Sequence, residues 1–205
     1  MKPQEIEKKS FEIIDDEAGD HGYPPDQWPI VRRVIHTSAD FEYLTDIRIH
    51  PGAVDAGLKV IRSGGTIFTD TNMALTGIRQ RDLKPYGNEI RCLMAEEEIA
   101  LLAKEKGITR AKAAVDAVAD RLENAIYAVG NAPTALLRLI ELVREGFSRP
   151  ALVIGLPVGF VNAAESKEAL LELDIPYITN VGRKGGSNVA ASVVNAIILM
   201  AIKAN

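Results

Sequence analysis

Apolar residues recur along the chain in two rhythms. From Pro3 to about Glu17 the positions Ile6, Phe11, Ile13 and Ile14 predict a helix. The Gly-Asp-His-Gly-Tyr-Pro-Pro run at residues 19–25 then reads as a loop. Ile30, Val31, Val34 and Ile35 recur at i, i+1, i+4 and i+5, which makes one apolar stripe on a helix from Asp26 to about Thr37. Leu44 to Ile49 alternates as a strand does. Beyond it, short apolar or β-branched runs near residues 66–69, 89–94, 125–129, 151–155 and 176–180 read as strands. Helical stretches fall near 51–62, 96–105, 110–123, 133–145, 163–173 and 187–203. This alternation is the signature of βαβ units. It predicts one three-layer α/β domain over residues 1–205, with a mostly parallel, doubly wound central sheet and no linker or internal repeat.

Composition supports a packed domain and narrows its partners. A chain of 205 residues, 47% hydrophobic and 25% charged, can bury a sizeable core without disulfides or a structural metal. Residues 1–20 hold three Lys and seven Asp or Glu, so this segment alone carries −4, the net charge of the whole chain. The body is therefore neutral, which argues against a nucleic-acid partner but leaves room for a local cationic pocket. The single cysteine, Cys92, excludes an internal disulfide and a cysteine-based metal cluster, fits a reducing cytosol, and reads as a small buried residue. No signal peptide is apparent. The uncharged run from Gly185 to Ile202 touches the lower length limit of a membrane span, yet it opens with Gly-Gly-Ser-Asn and carries Ser192 and Asn195. A buried helix lying on a sheet is the better reading, and a cytoplasmic protein without a membrane partner is expected.

In doubly wound folds ligands sit beyond the carboxyl ends of the strands. The loops there are Thr69 to Asn72, Gly130 to Thr134, Gly155 to Phe160 and Gly182 to Ser187, and each would offer free backbone N–H groups. For Gly155 to Phe160, close backbone packing is the simpler role. The Gly182 loop could equally bind an anion or let the last helix approach the sheet, with Arg183 and Lys184 in water. Glu96-Glu97-Glu98 reads as the acidic first turn of a helix. No G-x-G-x-x-G, P-loop or G-x-S-x-G is present, and His21, His36 and His50 lack metal-ligand spacing. Neither a cofactor nor a metal is expected. His36 ends the second predicted helix, with Arg32 four and Arg33 three residues before it on the same face. A helix C-terminus favours the imidazolium while two guanidinium groups oppose it until an anion neutralises them, so His36 could donate a proton in response to ligand binding. The plain alternative is a surface histidine finishing a helix.

Val34-Ile35-His36 after paired arginines, Gly130-Asn131-Ala132-Pro133-Thr134-Ala135-Leu136, Gly155-Leu156-Pro157-Val158-Gly159-Phe160-Val161 with Ala164-Glu165-Ser166-Lys167, and Gly182-Arg183-Lys184-Gly185-Gly186-Ser187 together closely resemble the precorrin-8X methylmutase family. The resemblance implies an isomerase of cobalamin biosynthesis that moves a methyl group from C-11 to C-12 of precorrin-8X or cobalt-precorrin-8, giving hydrogenobyrinate or cobyrinate. It implies His36 as the catalytic acid/base, Ser10, Arg33 and Arg110 as substrate contacts, and a homodimer with the site near the subunit boundary.

The residues themselves suit such a substrate. A corrin precursor is a broad, largely apolar disc edged with carboxylates, and Arg33, Arg79, Arg81, Arg183 and Lys184 are expected to supply local cationic groups. An intramolecular shift needs orientation and one placed proton, and no nucleophile. Two alternatives stand beside the enzyme: a non-catalytic corrinoid carrier, and a nucleotide-binding protein that uses the Gly182 loop for phosphate.

Overall fold

A computed structural model of the chain describes residues 2–203. The first half of the chain runs α1 (Pro3–Ala18), α2 (Trp28–Ser38), α3 (Tyr43–Asp46), β1 (Ile47–Ile49), α4 (Ala53–Arg62), β2 (Thr66–Thr69), α5 (Asn72–Gly77), α6 (Gln80–Leu83) and β3 (Ile90–Arg91). There follow α7 (Glu97–Lys106), α8 (Arg110–Asp116), β4 (Ala125–Val129), α9 (Pro133–Arg144), β5 (Leu152–Gly155), α10 (Ala163–Leu171), β6 (Tyr177–Asn180) and α11 (Ser187–Lys203). The six strands form one sheet in the order β1-β6-β5-β4-β2-β3. All neighbours are parallel except β1, which pairs antiparallel with β6 through Ile47–Asn180 and Ile49–Ile178. The expected mostly parallel, doubly wound sheet is present.

Alternation along the strands splits the core into two layers. Ile67, Ile126, Ala128, Leu152, Ile154 and Ile178 face the layer that contains α2, α4 and α11. Phe68, Ala125, Tyr127, Val129 and Val153 face the layer of α7, α8, α9 and α10. The stripe on α2 behaves as expected: Ile30, Val31, Val34 and Ile35 are each at most 1% exposed and pack with α11. Each such side chain adds at most about 1.5–3 kcal/mol of hydrophobic stabilisation. The uncharged run is the buried helix α11, and no helix among the described residues is long and apolar enough to cross a membrane.

Several boundaries differ from the sequence reading. The helix expected over 110–123 stops at Asp116, and a single 3-10 turn, Ala119–Arg121, follows it. The strand expected from Leu44 begins only at Ile47, after the short helix α3. α5 and α6 fall where no helix is expected. Thr71 caps α5 by accepting the Ala74 N–H, and α5 then packs on α11. Ile6 and Ile13, placed on the apolar side of α1, are 52% and 47% exposed, while Ile14 is buried. Cys92 is only half-buried, and desolvation pushes its thiol up.

Two glycines let the strand-end loops close on one another. A Cβ on Gly130 would lie 2.6 Å from the Ser187 Cα, so β4 and the start of α11 touch backbone to backbone. Gly185, at φ +154°, brings its Cα against the Leu156 carbonyl, where a Cβ would sit 2.2 Å from the oxygen.

Candidate active site

His36 stands in the last turn of α2, half-buried, and neither ring nitrogen has a hydrogen-bond partner among the described residues. Its ring meets the Phe11 ring of α1 edge-on, with centroids 5.1 Å apart. Phe11 also receives both neighbouring arginines, with the Arg32 and Arg33 guanidinium carbons 4.5 and 4.7 Å from its centroid. α1 neutralises both charges. Arg33 donates to Glu7 Oε1 at 2.6 Å and Arg32 to Asp15 Oδ2 at 2.6 Å, while Trp28 Nε1 donates to the other Asp15 oxygen at 2.9 Å. The charge balance beside His36 is thus set by carboxylates of the acidic first helix, a pairing that lies beyond helix periodicity.

The Arg33 guanidinium holds the Glu7 carboxyl below the usual carboxylate range, against a smaller opposing effect of burial. A depressed folded value means that the pair's stabilisation is present above the ordinary value of 4.5 and is lost as pH falls through the folded one. Glu7→Gln is therefore expected to lower stability at neutral pH by less than about 1 kcal/mol, since the carboxylate is nearly half-exposed. The difference from the parent should shrink as pH falls below 4.5; thermal melts at pH 7 and at a pH well below 4.5 test it, and an equal gap at both would contradict it.

Lys184 is part-exposed but paired. Its ammonium joins Asp40, just past the end of α2, and Glu42 at 2.6 Å, and these carboxylates push its proton affinity up. Ala39 makes that junction possible. As the C-cap of α2 it adopts the left-handed conformation (φ 53°), turns the chain sharply and donates its N–H to Ile35. Arg183, exposed, lies over the Phe160 ring at 5.6 Å, and Gly159 donates its N–H to the Arg183 carbonyl at 3.2 Å.

The Gly155 to Phe160 loop does more than pack closely. Gly155 itself is tight against Leu136 and Leu170, but Val158, Phe160 and Val161 are 44%, 84% and 76% exposed. An apolar surface with a cation at its edge results. Its sequence signal is the apolar run Val158 to Val161 inside a loop, where buried packing would be unusual.

The strand-end N–H groups after β4 are not free. Asp70, 1% exposed at the end of β2, accepts from Gly130 with Oδ1 at 2.9 Å and from Asn131 and Ala132 with Oδ2 at 2.7 Å each. Strand order reverses between β2 and β4, so this carboxylate fills the crevice where such folds place ligands. Burial pushes its carboxyl up, against the pull of the three N–H bonds. Sequence reasoning missed Asp70. The available signal is an acid following the buried run Thr66 to Thr69 together with a helix start, Ala132-Pro133, that has no side-chain cap of its own.

The expected site residues fall into two groups. Ser10, Arg33 and His36 share the α1–α2 layer, and Lys184 joins the end of α2 through Asp40; the Ser10 hydroxyl donates to the Ile6 carbonyl at 2.9 Å. Arg110 opens α8 on the opposite face of the sheet, exposed, beside the start of α9, where Thr109 contacts Thr134 at 3.4 Å. One protomer does not bring it to His36. Arg79 is paired with Asp82 at 2.5 Å. His21 stacks on Trp28 at 3.7 Å and His50 accepts the Gly52 N–H at 3.1 Å, which are structural roles. No group of three or more His, Cys, Asp or Glu among the described residues could hold a metal ion.

A three-layer α/β fold with a part-exposed histidine and two arginines gathered on one phenylalanine ring suits a small-molecule site. Residues 5–200 match the precorrin-8X methylmutase (CbiC) family. The chain is 47% identical over 201 residues to the cobalt-precorrin-8 methylmutase of Priestia megaterium, covering 98% of this chain and 89% of that one. It is 40% identical to the precorrin-8X methylmutase of Pseudomonas aeruginosa, covering 95% and 94%. The crystallised precorrin-8X methyl mutase from Thermus thermophilus superposes with a TM-score of 0.91 at 47% identity, covering 98% of this chain and 97% of that one. The chain belongs to the precorrin-8X methylmutase family, isomerases of cobalamin biosynthesis.

Proposed function

We propose that this chain, acting as one domain over residues 1–205, moves the methyl group of precorrin-8X or cobalt-precorrin-8 from C-11 to C-12, with His36 as the proton donor. The observation that carries the reading is the His36 imidazole, held edge-on to Phe11 and part-exposed, with neither nitrogen in a hydrogen bond among the described residues. As the imidazolium it gives a proton to the macrocycle; the methyl group leaves C-11 and bonds C-12, and the proton returns. No atom is gained or lost. Ser10, Arg33, Arg110, Arg183 and Lys184 are the groups we assign to the substrate's edge, and Phe160, Val158 and Val161 to its apolar face.

Arg33 and Lys184 are already matched by Glu7, Asp40 and Glu42, so a substrate carboxylate must compete for them, whereas Arg183 makes no ion pair among the described residues. Arg110, on the far face of the sheet, reaches the same ligand if a second copy supplies it, which agrees with a homodimer whose site lies at the subunit boundary. We place the protein in the cytoplasm, where its substrate is made. Incubation with each form of the substrate tests the reading: conversion of either, followed by absorbance, is expected. Binding of hydrogenobyrinate without conversion of either form would establish the carrier instead.

A further inference from the structure

Lys167, in the Ala164-Glu165-Ser166-Lys167 segment of α10, has no part in the reaction described above, yet it is 0% exposed and makes no ion pair among the described residues. Its amine donates to Asn180 Oδ1 at 3.1 Å, at the end of β6, and to the Lys184 carbonyl at 2.6 Å. Asn180 Nδ2 donates to the same carbonyl at 3.1 Å and to the Val181 carbonyl at 2.9 Å. Both lone pairs of the Lys184 carbonyl are therefore used, and the turn from Val181 to Lys184 is gripped from beneath. From above, the turn is tied to the neighbouring loop by the Gly159 N–H to Arg183 carbonyl bond and by the Gly186 N–H to Leu156 carbonyl bond at 2.9 Å.

Burying an amine without a carboxylate is costly, and a leucine or methionine would fill the same space without that cost. Desolvation pushes the Lys167 amine down to about 8, with Asp46 opposing.

We propose that Lys167 is a positioning residue for the substrate site: by holding the Lys184 carbonyl it fixes the backbone from which Arg183 projects over Phe160 and Lys184 reaches Asp40. The inference rests on the assignment of Arg183 to the substrate's edge. A displaced cation forfeits most of an oriented contact, so Lys167→Met should weaken hydrogenobyrinate binding about tenfold, as Arg183→Ala should. The two changes should not add: the double variant should bind within about twofold of the weaker single one, because both remove the same contact. Amide exchange across Gly182–Gly186 should accelerate in Lys167→Met. If that variant does not fold, Asn180→Ala, which removes the shared partner and leaves the amine in place, is measured in the same way.

Additive losses, or an unchanged dissociation constant beside a lowered melting temperature, overturn the proposal. If the parent protein itself fails to bind hydrogenobyrinate, the substrate reading is what fails. Loop exchange then decides the structural half alone, and unchanged protection overturns that as well.

Discussion

His36→Ala is expected to abolish turnover while leaving corrinoid binding within a few-fold of the parent. A positioned general acid contributes about 10²–10⁴-fold, and among the described residues His36 is the one histidine whose ring makes no hydrogen bond, whereas His21 accepts the Tyr23 N–H and His50 the Gly52 N–H. Binding should survive because the proposed carboxylate contacts and the Phe160 surface lie on other residues, and because the imidazole anchors no hydrogen bond among the described residues. Loss of the edge contact with Phe11 removes little packing from a ring that is already part-exposed. Single-turnover absorbance with the substrate and titration with hydrogenobyrinate separate the two effects. Undiminished turnover would remove His36 from the mechanism; loss of binding and turnover together would make it a substrate anchor.

The second large effect is structural and concerns Asp70. Asp70→Ala removes the shared acceptor of three N–H groups at the uncapped start of α9, in a place 1% exposed. A buried donor left without a partner costs about 1–3 kcal/mol; the Gly130 N–H is buried while those of Asn131 and Ala132 are part-buried and within reach of water, so a total of about 3 kcal/mol is expected. For a chain of this length that lowers the melting temperature by roughly 6–12 °C. Asp70→Asn keeps one acceptor oxygen but turns an amide N–H₂ towards a donor, so it should recover only part of the loss. A melting temperature within about 2 °C of the parent in Asp70→Ala would show that the loop needs no such acceptor.

Where periodicity is local, the sequence is a good guide to this fold. The i, i+1, i+4, i+5 stripe of α2 and the β-branched runs of β2, β4, β5 and β6 report their own burial, since each residue's neighbours lie within a turn or a pleat. Features set by distant partners were not legible. α5 is too short to show a period, and its end is tied down by Asn195, which donates to the Gly77 carbonyl and accepts the Arg79 N–H from over a hundred residues away. The antiparallel sense of β1 leaves no mark on its alternation. Arg32, Arg33 and His36 could be grouped by helix spacing. Their matching carboxylates could not, because Glu7 and Asp15 belong to another helix and the Lys184–Asp40 pair joins opposite ends of the chain. Family motifs located Arg183 and Lys184, and only the three-dimensional arrangement distinguishes the exposed guanidinium from the paired ammonium.

The contact between α2 and α11 has a consequence for how the molecule is made. During synthesis the stripe of Ile30, Val31, Val34 and Ile35 leaves the ribosome early, and the helix that covers it, Ser187–Lys203, follows about 150 residues later. At 5–20 residues per second the nascent chain must carry that apolar surface for roughly ten to thirty seconds. Activity must also arrive late and all at once, because the helix bearing His36 finds its seat only when the far end of the chain comes back to it.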